Sequence, residues 1–326
     1  MVKRAGPRYI KRMSDPQIII AGASGIVGRR LIDALLDDPR PPPITVLTRR
    51  AEGRWPPGVT PVAWRPDAAR AGDDDAVAAL AAVLEGAAGL VNLAGSSVAA
   101  GRLDAAHVAR VKGSRVDATT TLLAAARRCA APPRAWVQGS AVGIFGDRGD
   151  ELLTEDAAPG AGDFPLVPVG LAWEAAAAPA AAFTRLSVAR LGVVFDREAE
   201  AWRRLLLPLR LFAGGPLGSG RQWMPWISGR DTAAALRWLL DTPGARGTYH
   251  LTAPEPARQV DVTRAAGRAL RRPVWLPAPA FALRLALGGV ADALLLASQR
   301  VVPARLQAEG FTFRDRTIQE AIADLI

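Results

Sequence analysis

The stretch Gln17-Ile-Ile-Ile-Ala-Gly-Ala-Ser-Gly-Ile-Val-Gly-Arg29 constrains the fold more than any other part of the chain. Ile18 to Ala21 is short and wholly apolar, as a strand buried on both faces of a parallel sheet must be. Three glycines follow at three-residue spacing, Gly22, Gly25 and Gly28, and then Arg30-Leu-Ile-Asp-Ala-Leu-Leu36 restores a helical apolar period. Strand, tight glycine turn and helix together make an anion cradle. Gly22 permits the sharp turn, Gly25 a close approach of backbone to phosphate, and Gly28 tight packing of helix on strand. The helix N-terminus supplies free N–H groups and the positive end of its dipole. The spacing departs from G-x-G-x-x-G, so the same residues also suit a glycine turn in an ordinary α/β sheet. The cradle, with Ser24, Ile26 and Val27 between and after its glycines, is expected to hold the pyrophosphate of a dinucleotide.

The end of the second expected strand, Ile44 to Thr48, bears on which dinucleotide. An acidic residue there takes the ribose hydroxyl of NAD. This chain has Thr48-Arg49-Arg50 instead, and Arg49 suits the extra 2′-phosphate of NADP; the alternative is a solvated basic loop. Further strands are expected at Val59 to Trp64, Gly89 to Gly95, Ala135 to Ser140, Ser187 to Phe195, Gly247 to Thr252 and Val274 to Leu276. Helices are expected at Ala76 to Glu85, Val108 to Arg128, Trp173 to Phe183, Asp231 to Leu240 and Val260 to Leu270. This alternation predicts an α/β fold: a Rossmann doubly wound parallel sheet with a smaller, mostly C-terminal substrate lobe. Residues 16–195 and 231–252 are assigned to the NADP-binding domain. Residues 196–230 and 253–326 are assigned to the lobe.

Composition narrows the function classes. With 326 residues, half of them hydrophobic, a sizeable core is available. The formal charge is +10, but the arginines are spread along the chain, so neither a nucleic-acid nor a membrane partner is expected. Residues 1–15 read as a disordered basic tail, or as leader sequence before a start at Met13. The single cysteine, Cys129, excludes an intramolecular disulfide and suits a reducing cytoplasm. One cysteine and two distant histidines, His107 and His250, argue against a zinc site, and no metal is expected.

Several motifs together resemble the extended short-chain dehydrogenase/reductase superfamily: Gly22-x-x-Gly-x-x-Gly28, Asn92-Leu-Ala-Gly95, Ser140 before Gly146, and Arg190-Leu-Gly-Val-Val194. More narrowly, the chain looks like the "epimerase family protein" branch, atypical reductases with a C-terminal domain of unknown function. That likeness rests on Gly139-Ser-Ala-Val-Gly143, Ala172-Trp-Glu174, Gly214-Gly-Pro-Leu-Gly-Ser-Gly-Arg-Gln-Trp223, Thr252-Ala-Pro-Glu-Pro256 and Gln299-Arg-Val-Val-Pro303. The resemblance implies NADP(H) on Gly22, Gly25 and Gly28, with Arg49 at the 2′-phosphate. It places Leu93, Ala94 and Gly95 along the adenosine side, Val193 near the nicotinamide, and Ser140 where the superfamily has its catalytic Ser or Thr.

The superfamily's acid/base pair, Tyr-x-x-x-Lys, is missing. The only tyrosines are Tyr9 and Tyr249, and the expected positions hold Leu166 and Gly170. Ser140 remains as a hydrogen-bond donor to a substrate oxygen, or as a structural hydroxyl. Asp163, Glu155 and water are the other proton sources considered, and Glu174 reads as a structural contact. The Gly/Trp loop with Arg221, Trp223 and Trp226, together with Val142, Leu166 and Gly170, is expected either to wall a pocket for an apolar or aromatic small molecule or to plug the seam between lobes. Three functions fit: an NADP-dependent oxidoreductase or epimerase, a dinucleotide-binding protein without turnover, and a non-redox cyclase or lyase. A monomer and a homodimer fit equally.

Overall fold

The structure is a computed structural model and describes residues 17–326; the expected basic tail lies outside the described residues. Its centre is a seven-stranded, wholly parallel sheet. The strands are β1 (Ile18–Ala21), β2 (Ile44–Thr48), β3 (Val59–Ala63), β4 (Gly89–Asn92) and β5 (Ala135–Ala141). A two-residue strand, β6 (Leu152–Leu153), lies outside this sheet, which β7 (Arg185–Leu191) and, after the short β8 (Val193–Phe195), β9 (Trp223–Met224) and β10 (Trp226–Ser228), β11 (Gly247–Leu251) complete. The order is β3-β2-β1-β4-β5-β7-β11. In register, Ile20 stands beside Val46 on one side and Val91 on the other. The order reverses between β1 and β4, which is where a doubly wound sheet opens a crevice at the carboxyl ends of its strands.

Helices cover both faces. Helix α1 (Ile26–Leu36) packs with α7 (Gly229–Asp241) on one. The other carries α2 (Ala68–Ala71), α3 (Asp74–Leu84), α4 (Ala105–Ala126) and α5 (Val167–Ala177). Two cores result. Leu31, Ile32 and Leu35 meet Leu236 and Leu239 on the first face; Leu80, Leu84 and Leu122 meet Trp136 on the second. Every described side chain of β1 is buried, which is why that strand carries no polar residue.

The smaller lobe contains α6 (Glu200–Arg210), β12 (Ala257–Arg258), α8 (Gln259–Leu270), α9 (Ala280–Leu287) and α11 (Ile318–Ala323); of the segment expected in the lobe, β13 (Arg300–Val301) instead pairs with β6, and α10 (Ala304–Ala308) packs on β11 with Leu306 in the first sheet core. The lobe's own core gathers Phe195, Trp202, Leu206, Trp226 and Val262. It is stitched to the sheet domain through α7. The buried Asp231 carboxylate accepts from the backbone N–H of Arg314 at 3.0 Å and of Asp315 at 2.9 Å, and Arg230 donates to Asp315.

Three local expectations are corrected. Residues 187–195 are not one strand: Gly192 breaks it, and β8 leaves the main sheet to pair with β10. A Cβ at Gly192 would stand 2.3 Å from the Pro225 carbonyl oxygen, so only glycine permits this crossing. Val274 to Leu276 forms no strand; its backbone N–H groups at Trp275 and Leu276 both donate to the Gly214 carbonyl. The helix expected from Trp173 begins at Val167, with Pro168 in its first turn, where a missing N–H costs nothing.

His250 on β11 is fully buried beside the Phe145 ring at 5.3 Å, and burial pushes its pKa from 6.5 down to about 4. The unfolded chain therefore binds a proton that the folded chain refuses. Stability falls as the pH drops from about 6.5 to about 4, by up to about 3 kcal/mol from this group. Urea unfolding at pH 7 and pH 4.5 is expected to show a shallower acid loss for His250→Gln than for the parent; equal slopes would remove His250 from the account.

Candidate functional site

The carboxyl edge of the sheet is where the sequence-predicted residues collect. At the end of β1, Gly22 has φ +85°, and a Cβ there would lie 2.5 Å from the carbonyl carbon and oxygen of Leu93. At Gly28 a Cβ would lie 2.6 Å from Ala23 Cα. Both glycines are steric necessities of the turn. Gly25 is different. A Cβ there would touch nothing closer than the Gly22 oxygen at 3.5 Å, so its missing side chain leaves open space above the helix. Gly25 is also the N-cap of α1, and neither a capping side chain nor an acidic residue occupies that first turn. Helices α3, α4, α7 and α11 are capped by Asp73, Asp104, Ser228 and Thr317. The α1 terminus thus keeps its partial positive charge for an external anion. Ser24 beside it is exposed, while Ile26 and Val27 are half-buried against the lobe core and the first sheet core.

The end of β4 is held by a buried amide network. Asn92 Oδ1 accepts from the Ala94 N–H at 3.1 Å, and its Nδ2 donates to Thr119 and Gln138 at 3.0 Å each. Leu93 N–H donates to Ala21 at 2.8 Å, which joins this turn to the glycine turn. Gly95 is exposed, and Arg115 from α4 lies across it, its Cγ 2.9 Å from where a Cβ would stand. Arg115 Nη1 donates to the carbonyls of Ser96 and Val111, and its guanidinium sits 4.8 Å above the Trp173 ring. Among the described residues it has no carboxylate partner. Burial lowers its pKa to about 10, so it still carries a full charge at neutral pH. Arg49, beyond β2, is exposed, in a loop where Thr48 Oγ1 donates to the Arg50 carbonyl. Along the edge the order is therefore Arg49, the glycine turn, then Ala94, Gly95 and Arg115: two cations flanking an open helix terminus.

The sequence did not single out Arg115. The signal was present, because Val111, Arg115, Ala118 and Leu122 follow one helical stripe and an arginine interrupts an otherwise apolar row.

At β5 the expectation for Ser140 is corrected. Its side chain is 1% exposed, and its hydroxyl donates to Glu174 Oε1 at 2.6 Å. Arg190 on β7 grips the same carboxylate with two hydrogen bonds, Nε at 2.8 Å and Nη2 at 2.9 Å. Successive strand residues face opposite sides. The exposed residue at the strand end is Ala141, which offers only a methyl group. Leu166 is buried with Leu103 and Ala293, and Gly170 backs onto Ile144. Ala141, Leu166 and Gly170 between them supply no proton donor or acceptor from a side chain. Glu155, considered as a proton source, accepts from the backbone N–H groups of His250 and Arg305, and burial raises its pKa; Asp163 is an exposed loop charge.

The Gly/Trp loop packs as a seam. Trp226 is 1% exposed, stacks on Phe195 at 6.1 Å and donates to the Glu255 carbonyl. Trp223 lies between the guanidinium groups of Arg258 and Arg300, 4.3 and 5.0 Å from its ring, and donates to Asp150. Arg221 is exposed, and its carbonyl accepts from Arg258. Val142 is buried with Phe145 and Leu153. Val193 is half-buried on β8, its N–H donating to Pro225 at 2.7 Å. No group of three or more His, Cys, Asp or Glu able to hold a metal occurs among the described residues.

Residues 18–164 match the model of the NAD dependent epimerase/dehydratase family, and residues 278–325 match a domain of unknown function, DUF1731. An epimerase family protein of Mycobacterium leprae is 35% identical over 94% of this chain and 94% of its own length. The epimerase family protein SDR39U1 of Bos taurus is 32% identical over 95% of this chain and 99% of its own. The crystal structure of human SDR39U1 with NADPH superposes with a TM-score of 0.81 at 28% identity, covering 95% of this chain and 98% of that one.

Two glycine substitutions separate the roles of the turn. Gly22→Ala is expected to cost several kcal/mol and lower the thermal midpoint sharply, because backbone must move. Gly25→Ala is expected to unfold within a degree or two of the parent, since its methyl meets only ordinary contacts. Thermal unfolding of both variants checks this.

Proposed function

Since the chain belongs to the NAD-dependent epimerase/dehydratase family, we propose that it binds NADP(H) along the carboxyl edge and acts as an oxidoreductase or epimerase on a small, apolar or aromatic molecule, without a side-chain proton donor. The observation that carries the cofactor assignment is the cradle: an uncapped helix terminus over a glycine whose Cβ space is open, flanked by Arg49 and Arg115. The human relative solved with NADPH supports the same reading.

The residues present fit the group. The α1 terminus would take the pyrophosphate, Arg49 the 2′-phosphate, and Arg115 would add positive charge beside Gly95. When bound, the cofactor supplies or accepts a hydride. Asn92 fixes the Ala94 backbone along which the cofactor would rest, and the Glu174–Arg190 pair locks β5 to β7 and α5. At the reacting end, Ala141 exposes only a methyl group, and the buried Leu166 and Gly170 bring no ionisable side chain. A proton would come from solvent. Binding without turnover is the second reading, and that same trio favours it. With a single cysteine, which suits a reducing compartment, we place the protein in the cytoplasm.

Calorimetric titration with NADPH and NADH tests the assignment. Arg49→Ala is expected to weaken NADPH binding roughly ten- to hundredfold and to leave NADH unchanged. Arg115→Met and Gly25→Ala are expected to weaken both. Absence of binding by either cofactor to the parent chain would overturn the reading.

A further inference from the structure

The arginines that look scattered in sequence are gathered by the fold onto one face of the smaller lobe. Two concavities lie there. One, of about 280 Å³, is lined by Arg264, Arg268, Arg271 and Arg272 of α8 and its C-terminal turn. The other, of about 480 Å³, runs along α6 and is lined by Arg203, Arg204 and Arg210 with Leu207. Two of these cations are paired, Arg204 with Glu200 and Arg264 with Asp261. Among the described residues, Arg203, Arg210, Arg268, Arg271 and Arg272 have no carboxylate within ion-pair distance. Helices α6 and α8 pack on each other.

Large apolar side chains protrude beside these cations. Leu211 is 67% exposed, Phe212 55% and Trp275 64%. They occupy the turn that ends α6 and the irregular segment after α8. Trp275 Nε1 donates to the Phe212 carbonyl at 3.0 Å, and the Arg272 guanidinium lies 4.3 Å over the Phe212 ring. The apolar tips and the arginine cavity are therefore contiguous. Leu276 and Leu207 extend the patch.

We propose that this α6–α8 face docks the protein on an anionic phospholipid bilayer. Leu211, Phe212 and Trp275 enter the interface between headgroups and acyl chains, and the unpaired arginines meet the phosphates. The chemistry selects this occupant. Free guanidinium groups complement a negative surface, and each basic residue near an anionic leaflet strengthens attachment. Protruding tryptophan, phenylalanine and leucine at the ends of elements gain from an apolar, deformable phase. A soluble phosphate would use the arginines and leave those tips in water, and a single-stranded nucleic acid would stack on Phe212 and Trp275 but leave Leu207, Leu211 and Leu276 in water.

Co-sedimentation of the full chain with vesicles tests this. Vesicles of equimolar phosphatidylglycerol and phosphatidylcholine are expected to bind the protein, and pure phosphatidylcholine vesicles to bind it far less. Phe212→Ser with Trp275→Ser is expected to lower partitioning at least tenfold. Arg268→Glu with Arg271→Glu is expected to lower it roughly thirtyfold or more. Arg268→Lys with Arg271→Lys is expected to retain it, which separates lost charge from lost folding. Failure to bind the anionic vesicles overturns the proposal. So does full release by millimolar inorganic phosphate, or binding to single-stranded RNA tighter than to the anionic vesicles. NADPH binding is measured on the same variants and is expected to stay at the parent value.

Discussion

The approach of the glycine turn to the β4 carbonyl is the constraint on which the rest of the edge depends. Gly22 and Leu93 are so close that no side chain fits between them. This contact brings the α1 terminus level with the β4 end, at the point where the strand order reverses. Asn92 maintains the other half of the contact by accepting from Ala94 and donating to its neighbours Thr119 and Gln138. A rigid junction of two backbone turns results, with unpaired N–H groups on one side and Arg115 on the other. The open cap at Gly25 is affordable because the helix is stabilised by burial of Leu31, Ile32 and Leu35 and does not depend on its terminus.

Beyond that junction the edge changes character. The buried ion pair of Glu174 and Arg190, with Ser140 donating to the same carboxylate, fixes where α5 lies on β5 and β7. Removing either charged partner alone would leave the other buried and uncompensated, a loss of roughly 3–5 kcal/mol. This network consumes the Ser140 hydroxyl. Of the positions around it, Ala141 is exposed and offers a methyl group, while Leu166 and Gly170 are buried. One half of the edge thus presents an open helix terminus between two cations, while at the other Ala141, Leu166 and Gly170 carry no ionisable group.

Much of this was legible in the chain. The apolar strand, the glycine spacing and the alternation of elements specify the doubly wound sheet, because each is a local consequence of packing both faces of a parallel sheet. The exposed position of Arg49 was legible from its place after β2, and the absence of a Tyr-x-x-x-Lys pair needs no structure at all. Ser140 was misjudged because a motif gives the position of a residue along a strand and not which face it occupies. A one-residue offset exchanges the buried Ser140 for the exposed Ala141. Trp223 and Trp226 misled for a different reason. A glycine-rich loop with aromatics reads equally as a pocket or as a seam, and only the tertiary partners Phe195, Arg258 and Arg300 decide. Arg115 was overlooked since one long-range contact, with Gly95, gives it meaning.

The central claim is that the cofactor edge is intact and that no side chain supplies a proton at its reacting end. Parallel recording of nicotinamide fluorescence and absorbance addresses it most directly, with NADPH held by the protein and simple aldehydes and ketones added across a pH series. The account predicts fluorescence enhancement on binding, and any loss of the reduced-nicotinamide absorbance to be slow and without an inflection from a titrating side chain. Rapid carbonyl reduction with a bell-shaped pH profile would contradict it.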